Sequence, residues 1–195
     1  MCSPSMAKVI IPLHAFSGAD AISGFYGHGK KSIFDKVSKS EEMQCIISQL
    51  GSEINVPDTL ETEMEQLTLK CVYADPKSGN LGRSRAALWT KMKRKNTLRI
   101  PPDGDSHHFH CQRANYQAYV WRNYDKQDAP PSPLNHGWKV DSNGMVIPIV
   151  HSREAVPTFI SMLQNSSDNN ADDSDSEAIN SEADSEYSSD DMLDE

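Results

Sequence analysis

The chain has 195 residues, a formal net charge of −9 and 37% hydrophobic residues, which suits one domain or one domain plus a tail. The charge is unevenly divided: residues 165–195 hold 12 acids and no Lys or Arg, leaving 16 acids against all 19 bases in residues 1–164, a net of +3. A mildly basic body with an acidic end suits a nucleic-acid partner, and the apolar run at residues 9–13 is too short and Pro-broken for a membrane span or a signal core.

Residues 1–8 are expected to be loose. Residues 9–17 are densely apolar and read as a buried helix or strand leading into Gly18-Ala19-Asp20. Seven residues after Asp20 stands Gly27-His28-Gly29, followed by Lys30 and Lys31. The pattern predicts helix, tight glycine hairpin, helix. Glycines permit positive φ and close approach of a phosphate to bare backbone, and the next helix opens with unpaired N–H groups. Ser32 to Val37 continues that helix. Ser38-Lys39-Ser40-Glu41 has capping-box spacing and precedes Met43, Ile46, Ile47 and Leu50 at helical period, with Gly51 as the stop. Asp58-Thr59-Leu60-Glu61 repeats the signal, and Leu60, Met64, Leu67 and Cys71 form the next stripe. Cys71 on that stripe reads as a packed thiol, since no base is placed to activate it.

A turn-rich connection at residues 75–80 leads to a basic block: Lys77, Arg83, Arg85, Lys91, Lys93, Arg94, Lys95 and Arg99, with no acid between Pro76 and Pro102. Ala86, Leu88, Trp89 and Met92 predict a helix over residues 83–95 that lays an apolar side on the core and turns a positive face outward. One-signed charge of this kind favours phosphate contact over a mixed solvent face. Pro101 and Pro102 end it. Asp103 to Asp105 then signals a helix running to about Asp125. His107 and Cys111 share a face at i, i+4 on it, a spacing that suits a metal, but with no nearby third ligand the histidines read as surface groups. Residues 129–133 are an extended Pro-rich connector. Asp141-Ser142-Asn143-Gly144 between apolar segments predicts a β-hairpin that packs Trp138 on the helices, a base-stacking role for Trp138 being the alternative. Residues 156–163 suggest a last short helix. From Asn165 the sequence lacks the apolar residues needed to fold and reads as a disordered tail, with Ser174, Ser181 and Ser185 in contexts suited to acid-directed kinases. Cys2, Cys45, Cys71 and Cys111 form no CxxC pair, so a reducing, intracellular setting follows, and a nuclear one rests on the expected partner.

From Gly18 to Phe34 the sequence resembles the junction of flap-endonuclease-like nucleases, relatives of the PIN fold. In that family a Gly-x-Asp supplies a metal-ligating carboxylate, and a Gly-x-Gly hairpin with basic residues grips duplex backbone in a helix-three-turn-helix. Gly18-Ala19-Asp20 matches the first motif, and Gly27-His28-Gly29 with Lys31 the second. Residues 10–150 are also similar to uncharacterised, mobile-element-associated animal proteins with an HAF-S/T-G-x-D … F-x-G-x-GKK segment and a counterpart of Arg113 to Gln117 and His136-Gly137-Trp138. Here His28 stands where that nuclease motif usually has an apolar residue, and Lys30 replaces a common proline.

The residues predict a mainly α fold: a helical body over residues 9–128 that the resemblance makes nuclease-like, with a helix-hairpin-helix-like motif, a connector with the β-hairpin and short helix over 129–164, and a disordered acidic tail over 165–195. Two-metal phosphodiester hydrolysis needs several carboxylates around paired cations. No Asp or Glu precedes Asp20, so Asp20 matches one magnesium ligand without its partners, and this chain alone is not expected to cut. The resulting expectation is a catalytically incomplete, nuclease-derived protein that holds DNA backbone without reading sequence. Its sites would be Gly27, His28, Gly29, Lys30, Lys31, Arg83, Arg85, Lys91, Lys93, Arg94 and Lys95, with Asp20 as the metal position. Competing expectations are a protein-interaction scaffold acting through its tail, or a fragment of a metal-dependent nuclease whose catalytic half lies elsewhere. The charges of the tail and of residues 77–99 are opposite, so the tail is expected to compete with nucleic acid. Deleting residues 165–195 should raise duplex affinity at low salt in an anisotropy titration, and unchanged affinity would remove the tail from the account.

Overall fold

A computed structural model describes residues 6–92, 99–126 and 129–152. Backbone proximity divides the chain into residues 1–154 and 155–195, and every described residue lies in the first unit. Its elements are α1 (Met6–Phe16), α2 (Lys30–Val37), α3 (Glu41–Gln49), α4 (Asp58–Leu67) continued by a wide π-helical turn (Thr68–Val72), α5 (Leu81–Lys91), α6 (Gly104–Arg122), β1 (Trp138–Val140) and β2 (Val146–Pro148). The described part is therefore mainly helical with one small antiparallel hairpin, in which Trp138 faces Pro148 and Val140 faces Val146. Expectations for residues 1–5 and 156–163, for the tail, and for Lys93, Arg94 and Lys95 lie outside the described residues.

The dense run before Gly18 is helix rather than strand, and it starts at Met6, inside the segment expected to be loose. Val9, Leu13, Ala15 and Phe16 of α1 are buried. Three turns, at Ser17, at Asp20 and Ala21, and at Tyr26 and Gly27, then carry the chain into α2. In α3, Ile47 and Leu50 are buried while Met43 and Ile46 pack at the edge of the core. Its cap is Ser40, whose Oγ accepts the Met43 N–H at 3.3 Å, not Ser38, so no glutamate reciprocates as a capping box requires. α4 likewise starts after Pro57, and Asp58 sits in its first turn as a charge facing the helix dipole instead of as the cap. The stripe of Leu60, Met64, Leu67 and Cys71 is buried throughout. Burial pushes the Cys71 thiol up, which keeps it protonated and unreactive.

α6 is the axis of the body, and its buried face is polar. Asp103 caps it by accepting the Ser106 N–H at 2.9 Å. Asn115, 1% exposed, accepts the Gly51 N–H at 2.8 Å and donates to the carbonyls of Glu53 and Ile54, closing the α3–α4 connection. Arg113 Nη1 donates to the carbonyls of Gly137 (3.3 Å) and Ile149 (2.6 Å) and so docks the β-hairpin, with its guanidinium 6.0 Å over the Trp138 ring. Trp138 is half-buried there, with its Nε1 enclosed and unpartnered among the described residues. Pro12 inside α1 lacks the N–H that would bond the Lys8 carbonyl, and Arg122 Nη2 donates to that carbonyl at 3.0 Å while also reaching the Ser48 carbonyl at 2.9 Å.

Gly51 has φ +75, and a Cβ there would stand 2.6 Å from the Ala118 and Tyr119 backbone. Gly51→Ala combines left-handed strain with overpacking, so it should lower unfolding free energy by about 3 kcal/mol in urea titrations. A variant as stable as the parent would contradict this contact.

Candidate nucleic-acid interface

The glycine hairpin is held from below by Phe25. Its buried ring lies 5.2 Å from Phe16, 4.9 Å from His110 and 6.3 Å from Tyr73, centroid to centroid. Before it the loop folds back on itself. Gly18 has φ +111, and a Cβ there would meet Gly24 Cα at 2.8 Å, so this position demands glycine, while a Cβ on Gly24 would press on the Ser17 carbonyl oxygen at 3.0 Å. Asp20 and Ala21 form the corner of a turn closed by Ala19 and Ile22, which exchange N–H···O bonds of 3.0 and 2.9 Å. Asp20 is exposed at that corner with no hydrogen bond or ion pair among the described residues.

At the hairpin itself Gly27 has φ +76, and a Cβ would stand 3.2 Å from Arg99 Nε. The His28 N–H donates to the Phe25 carbonyl at 3.0 Å, and Gly29 caps α2 with no side-chain bond. Gly29 has an ordinary φ of −72, and a Cβ there would meet nothing within 4 Å, so the space beside it is open. The backbone N–H groups of Lys30, Lys31 and Ser32 open α2 without intrahelical acceptors, as the first turn of any helix does. His28 packs edge-on to Tyr73 at 5.0 Å. Its imidazole is pushed down by partial burial first and then by the charges of Lys36 and Arg99. Lys36 Nζ donates to the Cys71 carbonyl at 2.6 Å, tying α2 to the π-turn. Lys30 Nζ donates to His14 Nδ1 at 3.1 Å, and His14 stacks on Trp121 at 5.4 Å. Lys31 is exposed and unpaired among the described residues.

α5 differs from the expectation. Asn80 caps it by accepting the Arg83 N–H at 2.9 Å, and only Leu81 and Ser84 are buried. Ser78 and Ser84 donate to Asp75 and hold its carboxyl below the ordinary range. The apolar side does not lie on the core: Ala86 is exposed, Trp89 is 39% exposed and Leu88 is half-buried. The reason is that the buried contacts at Leu81 and Ser84 fix only its first turn. Arg83 and Lys91 are exposed, and Arg85 Nη1 donates to the Pro101 carbonyl at 2.6 Å. Burial pushes the Tyr73 hydroxyl up to about 12, opposed by the charge of Arg85. Arg85 and Arg99 thus flank the same Tyr73–His28 pair, and the basic block meets the glycine hairpin there. Arg99 was not singled out as a contact to the hairpin from sequence; it lies 72 residues beyond Gly27, and no local pattern links them.

No protein-family model, curated protein or solved structure matches this chain. No helix among the described residues is long and apolar enough to cross a membrane.

Two of the three α6 histidines are not surface groups. His107 is 3% and His110 6% exposed. The Thr68 hydroxyl donates to the Met64 carbonyl at 2.7 Å, so it accepts from His107 Nε2 at 2.9 Å. His110 Nε2 donates to the Phe16 carbonyl at 2.9 Å, one of the orphan acceptors at the end of α1. His108 pairs instead with Glu61 at the surface. Cys111 Sγ lies 3.7 Å from His107, but no group of three His, Cys, Asp or Glu side chains fit for a metal ion occurs among the described residues. Desolvation pushes His107 down to about 3 and His110 down to about 4. Unfolded imidazoles take up protons below pH 6.5 while the folded ones do not, so stability is full above that pH and falls on acidification. The loss should run from about pH 6.5 to about pH 4 for His110 and about pH 3 for His107, at roughly 1.4 kcal/mol per pH unit for each imidazole. Urea midpoints at pH 7.5, 6 and 5 measure it, and a flat profile would place both rings in water.

Proposed function

We propose that this chain holds nucleic-acid backbone, that of duplex DNA, without reading base sequence, and that it derives from the flap-endonuclease-like nucleases its glycine hairpin resembles. The observation that carries the reading is Arg99 resting against Gly27. It joins two basic segments distant in sequence into one cationic site with an open backbone at Gly29. Lys31 supplies a free ammonium beside it, Lys30 a second held by His14, and Arg83 and Lys91 extend the charge along α5. None of these side chains is neutralised by an ion pair among the described residues. Phosphate contacts of this kind fix position and carry no base information. Asp20, at an exposed corner of the same loop, would ligate magnesium only with carboxylates supplied from elsewhere, and the proposed role of this chain is binding rather than cleavage.

Binding of the full chain to a labelled branched DNA duplex across a salt series tests the reading. Three hairpin contacts, from Lys30, Lys31 and Arg99, should give a slope of log affinity against log salt of about −3. Lys30→Glu/Lys31→Glu should weaken binding and flatten the slope by roughly 2, and Arg99→Glu by roughly 1. Absent binding at low salt, or a slope unmoved by these variants, would leave the hairpin as inherited architecture and give precedence to a protein-interaction role.

A further inference from the structure

A second surface carries the opposite charge. Between α3 and α4 lies an open groove of about 560 Å³, floored by Met43, Ile46 and Leu67 and rimmed by Glu41, Glu42 and Glu63. Its one cation, Lys70, is already engaged by Glu42 at 2.9 Å, and Gln49 donates to Glu63 at 3.2 Å, so the rim keeps an excess of negative charge. Two parallel ridges of side chains with an apolar floor between them are the shape that accepts a third helix. An acidic rim selects a basic one.

The same chain exposes such a helix. α5 presents Ala86 and the partly exposed Trp89 on its outer side with Arg83 beside them, and carries no acid anywhere along it. Trp89 is the kind of large, partly exposed aromatic that anchors interfaces by filling an apolar slot. We infer that α5 of one copy seats in the α3–α4 groove of a second copy, Trp89 against Met43 and Ile46, with Arg83 on the glutamates. The contact joins two different surfaces, so it is heterologous, and repetition builds chains of copies rather than a closed two-fold dimer. It does not depend on the nucleic-acid reading.

Sedimentation velocity of the full chain, at low salt with reductant so that no disulfide contributes, tests it. The parent should show species growing with concentration. Arg83→Ala/Trp89→Ala removes the helix side and Glu42→Lys/Glu63→Lys the groove side, all at positions outside the buried core, and each should weaken association by about tenfold or more. An equimolar mixture of the two variants retains one intact helix and one intact groove, and should give dimers that grow no further. A parent that stays monomeric, variants that associate as the parent does, or a mixture that forms no dimer would each overturn the inference.

Discussion

The fold depends on one helix that hydrogen-bonds the backbone of its neighbours. Most core helices of small domains are held by an apolar stripe, but the inward side of α6 carries His107, His110, Arg113 and Asn115 beside Ala114 and Ala118. Each polar group answers a backbone or hydroxyl partner on a different segment: the π-turn, the end of α1, the β-hairpin and the α3–α4 loop. Buried donors and acceptors without partners are costly, so these pairings fix register as well as adhesion. Arg122 shows the logic at one atom. Pro12 frees the Lys8 carbonyl, and the guanidinium of α6 occupies it while also bonding the last turn of α3.

The same scaffold sets the glycine hairpin. His110 bonds the last carbonyl of α1 and packs on Phe25, so the start and middle of the three-turn loop share one support. Phe25 and Tyr73 together place His28, and Arg99 closes over Gly27 from the other side. The turn therefore meets an aromatic pair and a cation in one place.

Where local periodicity governs, the sequence is legible. The α3 and α4 stripes, the turn at Asp141 to Gly144 and the Asp103 start of α6 all appear as read, because each rests on contacts within a few residues. The misreadings share a cause. Ser38 and Asp58 stand near helix starts, but the chain caps one at Ser40 and enters the other after Pro57, and several polar residues in a row leave the choice to tertiary contacts. The α6 histidines read as surface groups because polar side chains usually are, and only their remote partners, Thr68 and Phe16, reveal otherwise. α5 has the composition of an amphipathic helix, yet among the described residues only Leu81 and Ser84 of it are buried and Trp89 stays 39% exposed. The meeting of Arg99 with Gly27 has no local signal at all.

That last point separates architecture from function within the motif. Gly18 is required by the loop crossing and its φ of +111, and Gly27 by its φ of +76, so these glycines follow from folding and would be needed with no ligand present. Gly29 is different. Its φ is open to any residue and nothing occupies the space a side chain would take. Lys31 has no partner among the described residues, and Arg99 lends its charge to a turn that already has its own hydrogen bond from His28 to Phe25. Glycine is a favoured N-cap, so the start of α2 itself accounts for a glycine at this position. The proposed backbone-binding role would use the open space at Gly29 together with the exposed charge of Lys31, because an approaching phosphate needs room at the backbone and positive charge near it.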